Sequence, residues 1–468
     1  MSMGRGISIV VGLVDADLLA KGTRHPNLAL LKIAGFLFDN NIPFELVLDT
    51  KADISRFDHI FMSRVFSFTS LPEFYTRAVG TSEESKFHIG GTGFYATEKD
   101  VKLFSHKRHA DMHSLEEDPF LSSFPNHRGG KKLKGIDMAR QMPYYHLYDA
   151  YVDQQVKKGF KRERYKDYQQ YSIGFLTRGC IRHCPFCINK LEKTILPYSR
   201  LDWFIDEEVD ANGKRLRPYI YLWDDNFLAS DYSIWKPLLQ ELIDRKQPFQ
   251  FRQGLDERML AQSEHGKEMA LMLSKAKYHG DFIFAFDNWK DRDIIEKALK
   301  IWKHYNPKKS TKFYLFCGFM LTKDSHERFY RDIWELFQRI KVLMSYGCVG
   351  YIMRHEDYHK YELSNLYVQI ARWCNQQAFY KKMSFWEFCY RNQSYWEEKY
   401  LKVVDRPALK SFDDFMDDVK SGYYQSIRMC LPLKTILATL EKFPEHREEL
   451  MDMFNYKMSN LQNPILWE

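Results

Sequence analysis

Three cysteines stand close together in YSIGFLTRGCIRHCPFCINK, residues 171 to 190: Cys180, Cys184 and Cys187, in a C-x3-C-x2-C run. Thiolates are soft ligands. Three of them on one loop can each take an iron of a cubane [4Fe-4S] cluster, leaving the fourth iron open to a ligand that is not protein. An iron with an open position is a place for chemistry. The competing reading is zinc, with His183 or a distant cysteine closing the tetrahedron, but such sites usually pair two C-x2-C knuckles and the second is absent. The expectation is therefore a cluster with Cys180, Cys184 and Cys187 as its metal ligands. The remaining thiols, Cys317, Cys348, Cys374, Cys389 and Cys430, contain no C-x2-C pair, so an auxiliary cluster would need distant contacts and buried core cysteines are the plainer account.

A loop of this kind needs a scaffold, and the sequence around it alternates regularly. Short apolar runs read as strands at 171–177, 218–223, 248–253, 281–287, 312–318 and 348–353, and a helical pattern follows each of the first five. Repeated β-α units without obvious antiparallel hairpins predict a (β/α)6 parallel barrel or part-barrel over residues 169–355. In such a fold the chemistry collects where strands end. The ends here are Thr177-Arg178-Gly179-Cys180, Trp223-Asp224-Asp225-Asn226, Gln253-Gly254-Leu255-Asp256, Asp287-Asn288, Gly318 and Met353-Arg354-His355. From about residue 356 the pattern turns to aromatic-rich helices, a helical C-terminal cap over 356–468. Its Trp373, Tyr380, Trp386, Phe388 and Tyr390 have the ring faces to stack bases, although helical spacing favours a core.

Ahead of the barrel, ISIVVGL (7–13), PFELVL (43–48), FDHIFMS (57–63) and FHIGGTGF (87–94) read as strands, and HPNLALLKIAGFLFDNN between the first two has helical spacing. Residues 1–104 are thus expected to form a small doubly wound domain. Residues 105–168 lose periodicity and gather His, Pro, Gly and charge, which reads as a linker region. Two basic runs lie within it, GGKKLKG (129–135) and KKGFKRERYK (157–166). Solvated surface is the plain reading of both, and nucleic-acid contact the alternative.

Composition bounds these readings. The chain has 468 residues, 45% hydrophobic and 16% aromatic, enough for two or three domains with cores. Its net charge of +7 comes from 69 Lys and Arg against 62 Asp and Glu, which permits an anionic substrate without requiring one. No apolar run reaches the roughly 18 residues of a membrane helix, so no membrane partner is expected. Asp15 and Asp17 interrupt the first apolar stretch before any small-residue cleavage site, and scattered cysteines do not make a secreted disulfide framework, so a cytoplasmic location is expected.

The segment Cys180-Ile-Arg-His-Cys184-Pro-Phe-Cys187, following the first of six β/α strands, resembles the C-x3-C-x-aromatic-C loop of the radical SAM superfamily. The resemblance implies a [4Fe-4S] cluster on the three cysteines, with S-adenosyl-L-methionine (SAM) chelating the open iron. One electron, from a donor such as flavodoxin or ferredoxin, would then release a 5'-deoxyadenosyl radical that abstracts hydrogen from a substrate C–H bond. It further implies that Phe186 presents its backbone to the adenine, that Asp224 and Asp225 take the place of the family's glycine-glycine-acid stretch beside the methionyl amine, that Asp287 falls where ribose contacts are made, and that Gly318 is what remains of the fifth-strand glycine motif. The resemblance extends outside the barrel: an N-terminal domain with HPNLALLKIAGFL and GGTGF, followed by FLTRGC, LWDDNFLAS, FRQGLDERM, FAFD and ARWCN, resembles a bacterial and phage branch whose N-terminal domain is cobalamin-binding-like. Cobalamin itself stays open, because the D-x-H-x-x-G lower-ligand pattern is missing and His25 is the only histidine in that loop; without the corrin the domain would dock or bind substrate. The tRNA methylthiotransferases share the look of the loop but carry three further cluster cysteines in their N-terminal domain, where this chain has none before Cys180. The alternatives left are a cobalamin-dependent radical SAM methyltransferase and a nucleic-acid-binding protein with a structural cluster. The substrate, whether nucleic acid, peptide or small metabolite, is not named by the resemblance.

Overall fold

A computed structural model describes residues 9–23, 25–94, 115–130, 132–187, 193–402 and 411–461. The chain divides into two compact units. The first comprises Met1–His183, Cys187–Asp225 and Arg245–Arg252; the second comprises Cys184–Phe186, Asn226–Asp244 and Gln253–Glu468. Both are mixed α/β with parallel sheets.

The first unit opens with a four-stranded sheet of β1 (Val11–Asp15), β2 (Phe44–Leu46), β3 (His59–Ser63) and β4 (Phe87–Gly90) in the order β2-β1-β3-β4, every pairing parallel. All five residues of β1 are buried, as a central strand covered on both faces requires. The helix Leu28–Asp39 starts where the side chain of Asn27 accepts the N–H of Leu30 at 3.2 Å, and it lays Leu30, Leu31, Ile33, Ala34, Phe36 and Leu37 into the core. The stretch read as a linker is, from residue 115 on, part of this core: Phe120, Leu121, Ile136, Tyr145, Tyr148 and Val152 pack into the same cluster as β1. It does so largely through turns and short 3-10 segments, so burial there leaves no helical or strand period to read.

Next in the chain come β5 (Tyr171–Gly174), β6 (Thr177–Arg178), β7 (Leu196–Pro197), β8 (Tyr219–Leu222) and β9 (Phe249–Phe251). β5, β8 and β9 form a parallel three-stranded sheet in that order. In the second unit, β10 (Phe282–Ala285), β11 (Thr311–Cys317) and β12 (Val349–Arg354) form another. The six strands fall within a few residues of their expected positions, as two parallel sheets of three. Long amphipathic helices follow β10 and β11, at Arg292–Tyr305 and His326–Ser345.

The second unit ends in helices that include Asn365–Cys374, Phe385–Trp396, Leu431–Lys442 and Arg447–Phe454. Trp373, Tyr380, Trp386, Phe388 and Tyr390 are buried, so these rings make the core and present no stacking face to solvent. Among the described residues no helix is long and apolar enough to cross a membrane.

Candidate active site

The loop that carries the three thiols is tied at its base. β6 and β7 pair antiparallel, Thr177 opposite Pro197 and Arg178 opposite Leu196, so the chain enters and leaves at one point. Gly179 follows at φ +109°, and a Cβ there would fall 1.9 Å from the carbonyl oxygen of Thr194. Only glycine fits such an approach. This two-residue ladder is too short to leave an alternating pattern, and the sequence gives no sign of it.

Both acids of Trp223-Asp224-Asp225-Asn226 fasten that base. Asp224 is fully buried and accepts the backbone N–H groups of Leu176 at 3.2 Å and Thr177 at 2.6 Å, and the Thr177 hydroxyl at 2.7 Å. Burial pushes its carboxyl up to about 6, while those donors pull the other way. Asp225 accepts the N–H of Gly179 at 3.0 Å and Nε–H of Arg178 at 3.2 Å. The roles seen for both acids are thus structural ones toward residues 176–179.

Cys180, Cys184 and Cys187 are half-buried, and none of the eight cysteines is in a disulfide. The N–H of Arg182 points at Sγ of Cys180 from 3.4 Å. His183 turns the chain through φ +47° before the second cysteine. Among the described residues no three or more His, Cys, Asp or Glu side chains are drawn together as a metal-ligand set. The loop's fit to an iron–sulfur cluster is therefore one of donor chemistry, three half-exposed sulfurs on one short segment. The other five thiols fit poorly. All are buried, and burial pushes Cys348 and Cys430 up to about 11 and Cys317, Cys374 and Cys389 up as well, which keeps them neutral and inert.

Within the second unit, Pro185 and Phe186 line a cavity of about 760 Å³ together with Asp287, Asn288, Phe316 and Phe319. The rings of Phe186 and Phe316 are stacked, their centroids 3.7 Å apart and their planes within 23°. Asp287 is half-buried at the end of β10, and loss of water around its carboxyl pushes it up to about 6 against the pull of Arg339 and Arg258. Gly318 lies between the two cavity phenylalanines at φ +76°, its N–H donating to Asp332 at 2.8 Å; a Cβ would meet that of Tyr358 at 2.6 Å. Phe186, Asp287 and the flanks of Gly318 are therefore brought to one place.

Arg339 holds this place together, and sequence reasoning passed over it. It is buried in the helix His326–Ser345, where its guanidinium donates to the carbonyl oxygens of Phe286 at 2.8 Å and of Asp287 and Phe316 at 3.0 Å. One planar cation thus clasps the ends of β10 and β11. Its signal was an arginine in register with Leu336, Phe337, Ile340 and Leu343 on the apolar face of the helix. Asp332, two helical turns before it, accepts both the Gly318 N–H and, at 2.6 Å, the hydroxyl of Tyr367.

His25, the loop histidine considered for cobalt, faces protein on both ring nitrogens. Nδ1 lies 2.8 Å from the Asp167 carboxylate, and Nε2 accepts from Nη2 of Arg252 at 3.1 Å. No family model matches the chain, and no curated protein matches it in sequence.

Proposed function

We propose that the chain is a radical SAM enzyme: Cys180, Cys184 and Cys187 hold a [4Fe-4S] cluster, the six β/α strands form the family's part-barrel, and S-adenosylmethionine occupies the cavity of Phe186 and Asp287. The observation that carries the reading is that Phe186, the residue before Cys187, is stacked on Phe316 in the wall of a cavity that Asp287 also lines. Bound there, such a cluster would supply the electron, delivered by a flavodoxin- or ferredoxin-like donor, for reductive cleavage of S-adenosylmethionine to a 5'-deoxyadenosyl radical.

The chain's own residues prepare that event. The Phe186–Phe316 stack gives the adenine a flat, apolar neighbour. Asp287 offers a carboxylate to hydroxyl donors of the ribose, and Arg339 fixes the backbone that carries it. Asp224 and Asp225 act one step back, by fixing the backbone from which the thiol loop departs. The doubly wound domain is of the cobalamin-binding-like type, and His25, whose Nε2 accepts from Arg252 and whose Nδ1 lies 2.8 Å from Asp167, favours the reading without cobalt ligation.

The test is anaerobic. Iron and sulfide are reconstituted into the protein, dithionite and S-adenosylmethionine are added, and 5'-deoxyadenosine is measured beside a Cys184→Ala control. Deoxyadenosine from the wild type and none from the variant is the expected result. A fully loaded cluster that yields none would leave it a structural element and remove the enzyme reading.

A further inference from the structure

The basic run KKGFKRERYK lines a second cavity that the thiol chemistry does not use. It lies wholly within the first unit and has a volume of about 900 Å³. One wall is made where the chain leaves β1 and β2, by Lys21, Gly22 and Thr23 and by Leu48, Asp49 and Thr50; the other is made by Lys158, Phe160, Arg164 and Lys166. Carboxyl ends of parallel strands are where doubly wound sheets take ligands.

The charge of this cavity is one-sided. Lys21, Lys158, Arg164 and Lys166 face Asp49 and Asp167, and Asp167 is already engaged by His25 at 2.8 Å. Among the described residues none of the four cations is matched in an ion pair, whereas neighbouring Arg162 is paired with Asp153 at 2.6 Å. Phe160 is 43% exposed, and the guanidinium of Arg164 lies 5.2 Å from its ring centre, so an aromatic face and a cation stand side by side. Thr50, Gln154 and Gln155 add neutral hydrogen-bonding groups to the same walls.

Uncompensated cations beside an exposed aromatic face are what a phosphate attached to a planar base requires. We infer that this cavity binds a nucleotide, its phosphate held by Lys158, Arg164 and Lys21 and its base against Phe160, either as a free nucleotide or as one unit of a single strand. The inference stands on the first unit alone and does not depend on the thiol loop.

Two uridine probes test it, chosen because they carry no adenine to compete with S-adenosylmethionine, which is present in excess throughout. Fluorescein-labelled octauridylate is titrated with the full-length protein by anisotropy, and uridine 5'-monophosphate is used as competitor. Lys158→Ala/Arg164→Ala is expected to weaken octauridylate binding at least about tenfold and to lower the salt slope by roughly 1.4, two lost contacts with a single strand. Lys157→Ala/Lys161→Ala removes the same charge from the same run, at positions that do not line the cavity, and is expected to change affinity less than about twofold. Displacement by the monophosphate identifies a free nucleotide as the source; displacement only by unlabelled octauridylate identifies a strand. Equal losses in the two double variants, wild-type affinity in the first, or no binding of either probe at millimolar concentration overturns the proposal. So does hydroxocobalamin binding that the Lys158→Ala/Arg164→Ala change abolishes while octauridylate binding is untouched.

Discussion

The carboxylate of Asp225 accepts the backbone N–H of Gly179 at 3.0 Å, directly before the first cysteine. The same oxygen takes Nε–H of Arg178 at 3.2 Å, so one side chain fixes both residues that lead into the loop. Asp225→Ala is expected to cost about 1–2 kcal/mol, the loss of a charged acceptor that is only partly buried, and to speed limited proteolysis between residues 179 and 195. Asp225→Asn keeps an acceptor and is expected to restore most of the protection. Unchanged cleavage of the alanine variant would refute this role.

Gly179 itself tolerates no side chain. With φ at +109° and the Thr194 carbonyl oxygen 1.9 Å from where a Cβ would stand, Gly179→Ala is expected to lose at least about 2 kcal/mol and to retain less iron after reconstitution. Urea unfolding and an iron assay check both. A variant with wild-type values for each would mean that the loop has another way through.

Arg339 satisfies three carbonyl oxygens, those of Phe286, Asp287 and Phe316, with one group. Arg339→Met removes their donors, and the expected loss is about 3 kcal/mol in urea unfolding. Arg339→Lys is expected to rescue little, because an ammonium lacks the planar fork that reaches both strand ends. A lysine variant as stable as the wild type would show that charge alone suffices.

Phe316 backs Phe186 at 3.7 Å. Phe316→Ala removes an aromatic pair of about 1 kcal/mol, and equilibrium dialysis of the reconstituted protein should show S-adenosylmethionine bound several-fold more weakly, with iron content unchanged. If affinity holds and iron falls instead, the stack supports the loop rather than the ligand.

Asp15 provides a pH test. Buried at the start of the helix Ala16–Lys21, it accepts the N–H of Leu18 at 3.0 Å and the hydroxyl of Tyr148 at 2.8 Å, and burial raises its carboxyl to about 6. The folded state then holds this proton more tightly than the unfolded chain does. Stability from this group is complete below about pH 4 and falls as the pH rises through about 6, by roughly 3 kcal/mol at most. Asp15→Asn is expected to remove that part of the slope when the cluster-free protein is unfolded in urea at pH 4.5 and pH 7. Identical slopes in the two proteins would show that Asp15 does not titrate in this range.

Strands were legible wherever an apolar run had both period and length. Residues 281–287 became Phe282–Ala285, three of whose four residues are buried, and 312–318 became Thr311–Cys317, where buried and half-buried residues alternate; both leave an apolar run of strand length in the sequence. Residues 115–148 were not legible, since Phe120, Ile136 and Tyr145 reach the core from turns whose spacing follows no repeat. At the candidate site, cysteine spacing singled out one loop, but side chains that act through hydrogen bonds to backbone carried no such mark. Asp224, Asp225 and Gly318 could be named only by their place at strand ends, and Arg339 and Asp332 not at all. What distinguishes these residues is the partner each one finds, and partners are set by the fold.

The ladder of β6 and β7 has one more consequence. Because Thr177 and Arg178 meet Pro197 and Leu196 across it, the segment between is a cassette whose two ends share one clasp. Substitutions, insertions or a change of occupant inside the cassette need not disturb β5 or β8. The loop's sequence can change there while those strands keep their pairing.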